Sequence, residues 1–265
     1  MMKVGIIGAG NMAQALLIPL KNFFQDSRFE ILIYTPSKIR AKNLASVLDG
    51  QVAEEIKQIN QCDVIILAHK PQQLMEVSGH LSLDKNSALI SMLASIESGQ
   101  MRSLFGVEKV LRLMPNTPAQ VGLGVITYFH LPEHLTFFSP WINALKKDSQ
   151  LIQFQDESMI DLTTPELGSG PGLVLELIRI FSSSLMQKGL SESDSIRLAS
   201  SVFYGSGKLA LISERSPEVL RDQVTSKGGI THECLRVLKN KNIENIFQQA
   251  FKAGHNRSIE LKQPK

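Results

Sequence analysis

Two glycine-bearing stretches hold the residues best suited to gripping anions. The first is Gly8-Ala9-Gly10-Asn11-Met12-Ala13, a G-x-G-x-x-A spacing close to the start of the chain. A backbone that must turn sharply and then let a pyrophosphate approach closely wants glycine twice. The helix that follows supplies free N–H groups and the positive end of its dipole. A glycine turn in an ordinary strand–helix unit is the alternative, and the strand before and helix after favour the nucleotide. The second stretch is Thr225-Ser226-Lys227-Gly228-Gly229-Ile230-Thr231, which opens a later helix with hydroxyls on each side. That arrangement suits a carboxylate; a capped helix start is the plainer alternative. Nothing points to a metal or a disulfide framework, because Cys62 and Cys234 are far apart and have no Cys or His at ligand spacing.

The elements that must position these residues follow from the apolar patterning. Val4, Ile6 and Ile7 predict a short buried strand, and Asn11 to Lys21 a helix with Met12, Leu16 and Leu20 on one face. Phe29 to Thr35 predicts the second strand. A site for NAD would place an acid at its end to accept from the ribose 2′-hydroxyl. Here the strand runs into Thr35, Ser37, Lys38 and Arg40, two hydroxyls and two cations, which favours a 2′-phosphate and hence NADP over NAD. Alternatively, Ser37 caps the next helix while Lys38 and Arg40 face water.

Asp63 to Ala68 is a nearly continuous apolar run, as a strand covered on both faces should be, and it delivers His69-Lys70-Pro71-Gln72 to the ligand edge. Strands are further expected at Ser87–Leu93, Val107–Met114, Val125–Phe129 and Gln150–Gln155. Helices are expected at Glu97–Leu104 and Pro132–Leu145. Pro115-Asn116-Thr117-Pro118 should be rigid and non-helical. The alternation reads as a doubly wound parallel sheet.

From about Asp161 the pattern turns helical. Helices are expected from Gly168 to about Lys188, from Ser191 (an N-cap with Asp194 three residues on) through Ile212, from Ser216-Pro217-Glu218, from the second glycine loop, and from Ile243 to Leu261. Long apolar faces on these helices suit burial against a second copy, so a homodimer is expected over a self-contained bundle. The domain division is set at 1–160 and 161–265.

The 265 residues carry 43% hydrophobic and 20% charged side chains with a formal charge of +3, the profile of a globular protein. No apolar run approaches the roughly 20 residues of a membrane span, and a strand beginning at Lys3 leaves no room for a signal peptide. Cytoplasmic location is the expectation. Basic residues are scattered, which argues against a nucleic-acid surface.

Taken together, Gly8–Ala13, Leu67–Gln72, Arg112–Pro118, Gly168–Pro171, Thr225–Thr231 and Arg257-Ser-Ile-Glu-Leu261 resemble, in register, the blocks of the Δ1-pyrroline-5-carboxylate reductase family. The resemblance implies an N-terminal Rossmann-like doubly wound α/β sheet with an all-helical C-terminal dimerisation domain. It implies NAD(P)H-dependent reduction of a cyclic imine to L-proline, with an active site at the junction of two subunits and dimers able to assemble further. Cofactor contacts would fall on Gly8, Ala9, Gly10, Asn11 and Met12, on Thr35 and Ser37, on Ala68, His69, Lys70 and Pro71, and on Met92, Leu93 and Ala94. The substrate carboxylate would be held by Ser226, Gly229, Ile230 and Thr231. Glu214 matches a position near the ring nitrogen, and Thr231 or a water could supply the proton. Departures from the family pattern include Lys227 for proline, Ile230 for a small residue or threonine, Gly172-Leu173 for Ala-Tyr and Arg179 for Glu. Others are Ser201 for Gln, Glu55 for Asn, His69 for Val and Ser95 for Gly. They leave room for a related NADPH-dependent reductase of another imine or keto acid, or for a non-catalytic NADPH-binding regulator.

Overall fold

The computed structural model describes residues 1–25 and 29–262. Its chain order runs β1 (Met2–Ile7), α1 (Asn11–Leu17), α2 (Lys21–Phe24), β2 (Phe29–Tyr34), α3 (Lys38–Leu48), β3 (Gln51–Val52), β4 (Val64–Leu67), α4 (Leu74–Gly79), β5 (Ala88–Ser91) and α5 (Ser98–Phe105). It continues through β6 (Lys109–Pro115), β7 (Gly124–Phe129), α6 (Leu135–Leu145), β8 (Ser149–Gln153) and α7 (Ser158–Leu167). Five helices close the chain: α8 (Gly170–Met186), α9 (Glu192–Ile212), α10 (Pro217–Gln223), α11 (Ile230–Asn240) and α12 (Ile243–Lys262). Two compact units result, one of residues 1–169 joined by α12 from Gly254 onward, the other of residues 170–253.

In the first unit the eight strands form one sheet in the order β3-β2-β1-β4-β5-β6-β7-β8. Each central strand alternates between two cores. Val4, Ile6, Val64 and Ile66 enter one, and Ile7, Ile65, Leu67 and Leu89 the other. That double covering is what the unbroken Val-Ile-Ile-Leu of β4 anticipates. The doubly wound sheet is therefore as expected, with one departure from strict parallel pairing. β7 runs antiparallel to β6, pairing Arg112 with Phe129 and Pro115 with Ile126. Only residues 116–123 separate them, too few for the crossover that a parallel return requires.

Two helical details differ from the sequence reading. The first helix was expected to reach Lys21 but stops at Leu17, and the chain resumes at α2 after a turn in which Lys21 N–H donates to Ile18 at 3.0 Å. Pro19 lacks the N–H that would continue the α-helical ladder. The other difference is α7, where the sequence reading placed no helix before Gly168. The Thr163 and Thr164 hydroxyls satisfy themselves on the carbonyls of Met159 and Ile160, at 2.8 and 2.7 Å. Ile160 is fully buried, and tertiary packing overrides propensity. Since α7 packs with the sheet, the first compact unit runs on to Ser169.

What holds α7 there is a charge network. The Arg112 side chain on β6 is wholly buried; its guanidinium donates to Asp161 at 2.5 Å and to Glu157 at 3.3 Å. Glu157 also accepts from the Ser98 N–H and the Ser98 hydroxyl at 2.6 Å each, closing the start of α5. A buried ion is tolerated only when so paired, and removing one partner strands the others. Arg112→Leu should therefore destabilise the protein by about 3 kcal/mol, read as a fall in thermal midpoint of roughly 6–12 °C. An unchanged midpoint would show that the network contributes nothing net.

Candidate active site

The expected cofactor segments lie at the carboxyl ends of β2, β1, β4 and β5, four consecutive strands of one edge. The strand order reverses between β1 and β4, the place where open α/β sheets bind ligands. Three backbone bonds draw these ends together: Gly8 N–H to Tyr34 C=O at 2.8 Å, Ala68 N–H to Ile7 C=O at 2.8 Å, and Met92 N–H to Leu67 C=O at 3.0 Å. Gly8 has φ +105°, and a Cβ there would stand 2.5 Å from the Ala68 carbonyl oxygen and 2.7 Å from the His69 nitrogen. No other residue fits.

Gly10 is different: a Cβ on it would meet nothing within 4 Å. It occupies the N-cap of α1, whose first N–H groups receive no side-chain cap. Open space over unpaired donors at a helix start is the form of a pyrophosphate cradle. Ala13, the third residue of the fingerprint, is fully buried, which lets α1 lie close on the sheet.

At the end of β2, Ser37 takes the N-cap position of α3 but makes no side-chain capping bond, so its hydroxyl is free for a ligand. The alternative, that it caps the helix, is set aside. Lys38, read as a cation for a 2′-phosphate or as facing water, is mostly exposed and pairs with Glu54. At the end of β4, His69 donates from Nδ1 to its neighbour's carbonyl, Lys70 O, at 2.9 Å. Nε2 is then an acceptor, buried and without a partner among the described residues. Burial pushes the His69 pKa down, so the ring is neutral at pH 7. At the end of β5, Met92 and Leu93 are buried beside Ala94. Ser95, where the resemblance leads one to expect glycine, has φ 62° and a 2.9 Å hydrogen bond to Ser258 of α12.

Sequence reasoning marked Pro115–Pro118 as rigid but did not assign Asn116 its part in holding it. Asn116 uses both ends of its amide, accepting from Val125 N–H at 2.9 Å and donating to the Leu167 carbonyl at 3.0 Å. It thereby fixes the Pro115–Pro118 segment, which was expected to be non-helical but enters a 3₁₀ turn at Thr117–Val121, with Pro118 in the first turn where its missing N–H costs nothing. A buried asparagine between two prolines is the only local sign of that role.

The helical unit contains the second glycine loop. Gly228 has φ +74°, and Gly229 N–H closes the turn on Ser226 C=O at 2.9 Å. A Cβ on Gly229 would overlap the Ser226 hydroxyl. Gly229 is the N-cap of α11 and, again, no side chain caps the helix. Thr231 is half-buried in its first turn, whereas Ile230 is 87% exposed. Thr225 bonds back to the Arg221 carbonyl at 2.7 Å. Glu214 lies exposed in the link between α9 and α10, and no hydrogen bond joins it to Thr231.

A G-x-G-x-x-A turn at the switch point of a doubly wound sheet, with a helical C-terminal half, defines a Rossmann-type nicotinamide-dependent oxidoreductase. Residues 157–261 match the family description "Pyrroline-5-carboxylate reductase dimerisation", and residues 3–95 match "NADP oxidoreductase coenzyme F420-dependent". The pyrroline-5-carboxylate reductase of Escherichia coli is 30% identical over 258 residues, covering 94% of each chain. Among solved structures, the reductase from Coxiella burnetii superposes with a TM-score of 0.82 at 25% identity, covering 98% of each chain. The Plasmodium falciparum pyrroline carboxylate reductase, solved with NADP bound, has a TM-score of 0.84 at 24% identity over 99% of this chain and 98% of that one. The chain belongs to the pyrroline-5-carboxylate reductase family.

Gly10→Val separates binding from folding. Its side chain enters open space, so the thermal midpoint should hold, while NADPH affinity measured by calorimetry should fall at least about tenfold as the pyrophosphate is displaced. Unchanged affinity would remove Gly8–Met12 from the site.

Proposed function

We propose that the chain reduces Δ1-pyrroline-5-carboxylate to L-proline with NADPH, and that the residues named above carry the reaction. The observation that carries the reading is that the two helices opening at its glycine loops, α1 and α11, both begin without a side-chain cap. One would hold a pyrophosphate and the other a substrate carboxylate. The bound nicotinamide would supply the hydride.

The chain's own task is then modest. Gly8 to Met12 would fix the dinucleotide by backbone N–H groups, with Ser37 at the ribose end and Ala68–Pro71 and Met92–Ala94 as walls. Ser226 and Gly229–Thr231 would hold the carboxylate and so orient the C=N carbon. The Thr231 hydroxyl would keep a proton on the ring nitrogen, and the Glu214 carboxylate would favour the cationic iminium over the neutral imine. No nucleophile is required.

The same reading includes a homodimer or larger ring. Between Gly170 and Ala253 the buried residues are Ser182, Ser195 and Ala199, all small, while Leu211, Ile212 and Val224 are 80%, 72% and 67% exposed. Helices so apolar on their surface call for a partner, and a second copy offers the matching face. Cytoplasmic location is part of this reading and rests on composition alone.

The test is NADPH consumption with pyrroline-5-carboxylate, with Thr231→Val expected to lower kcat at least about 100-fold while NADPH affinity is kept. NADPH binding without turnover would sink the reductase reading and favour another imine or a regulatory role. Sedimentation of the full chain should show a dimer or larger; a monomer at micromolar concentration would overturn the assembly.

A further inference from the structure

The carboxyl edge of β2 holds a pairing that the cofactor assignment does not use. β3 extends the sheet with Leu32 opposite Gln51 and Ile33 opposite Val52, and Ala53 N–H donates to the Ile33 carbonyl at 2.9 Å. The next residue, Glu54, is thereby carried to the level of Thr35, beside the start of α3. Its carboxylate meets the ammonium of Lys38, the first residue of that helix. Ser37 presents an unengaged hydroxyl one residue earlier, and Arg40 makes no ion pair among the described residues. An acid and a base thus share the place where dinucleotide folds distinguish a ribose 2′-hydroxyl from a 2′-phosphate.

We propose that Glu54 and Lys38 form a two-way selector for that 2′ position. With the pair intact, Glu54 keeps a free carboxylate oxygen able to accept from the 2′-hydroxyl of NADH, the part played elsewhere by an acid at the end of the strand. A 2′-phosphate instead draws Lys38 to itself, joined by Ser37, Arg40 and the N–H groups of α3, and leaves Glu54 facing an anion. The pair is suited to such exchange. Both side chains are mostly exposed, at 61% and 69%, so the contact is weak and readily broken. While the pair is intact Glu54 is held ionised, since its hydrogen bond to Lys38 and then the charge of Lys38 hold its pKa below the ordinary value, with Lys42 adding to them. Glu54 is therefore a brake on NADPH preference, and this inference rests on the cofactor edge assigned above.

The experiment is a pair of binding titrations, NADPH and NADH, on the full-length protein without substrate, for the natural chain, Glu54→Gln and Lys38→Met. Glu54→Gln should tighten NADPH by about fivefold and weaken NADH by a similar factor, because it removes one screened like charge and replaces a charge-assisted hydrogen bond by that of a neutral amide. The gain for NADPH should shrink at ~0.5 M salt, since the repulsion is exposed. Lys38→Met should weaken NADPH by roughly fivefold or more and leave NADH within about twofold. A Glu54→Gln protein whose NADPH-to-NADH affinity ratio stays within about twofold of the natural one overturns the selector while leaving the cofactor edge in place. If the natural chain binds neither dinucleotide, the cofactor assignment itself falls and takes the selector with it.

Discussion

The constraint on which the candidate site depends is the lack of space between the end of β1 and the end of β4. Gly8 passes so near the Ala68 carbonyl that no side chain fits, and its φ of +105° is one that other residues adopt only under strain. Much follows from that approach. The chain leaves the sheet at Gly8, turns over Ala9, and starts α1 with its unpaired N–H groups above the crevice. The same contact brings Ala68 and His69 to the opposite wall. Because β2 and β5 flank these two strands, Thr35 and Met92 join the edge without further device. The proposed cofactor edge, drawn from four sequence segments, thus rests on one crowded glycine and the hydrogen bonds of adjacent strands.

Much of this was legible in the sequence because it is local. The G-x-G-x-x-A spacing, the apolar run of β4, and the caps at Ser191 and Ser216 are short-range patterns, and both serines accept from the N–H expected of a cap. What was not legible depends on partners distant in the chain. The antiparallel turn of β7 follows from a short connection whose ends could not be fixed from propensity. Helix α7 exists because Arg112, 45 and 49 positions earlier than Glu157 and Asp161, needs their carboxylates. Lys38 reads as a free cation until β3 brings Glu54 to it. Ser95 reads as a departure from glycine until Ser258, 163 residues away, supplies the bond that accompanies its left-handed backbone.

The helical unit poses the opposite problem. Its helices are long, 17 and 21 residues for α8 and α9, yet the residues they bury completely are small. Phe181 and Phe203 touch edge to face at 5.0 Å, but Phe181 remains 48% exposed. Burial of apolar area is the main source of folding free energy, and so many half-exposed side chains leave it largely uncollected within one chain. The match of residues 157–261 to a dimerisation family gives that deficit a natural remedy.

The departures from the family pattern can be weighed against how the two anion loops are built. Both proposed cradles consist of backbone N–H groups at the start of a helix, and the glycines that shape their turns are Gly8 and Gly228, which carry a positive φ, together with Gly229. Gly228 needs its positive φ and Gly229 has the Ser226 hydroxyl where a Cβ would go. Two of the altered positions, Lys227 and Ile230, flank these glycines. Lys227 and Ile230 are exposed, and neither side chain caps α11. A cradle made of main chain is indifferent to such changes, because its donors and its dipole do not depend on the neighbouring side chains. A lysine at the rim would add positive charge beside the proposed anion site, and so work with a carboxylate and not against it. The side chains that drift are therefore those able to tune what surrounds the anion, while the atoms that would grip it are held by the fold.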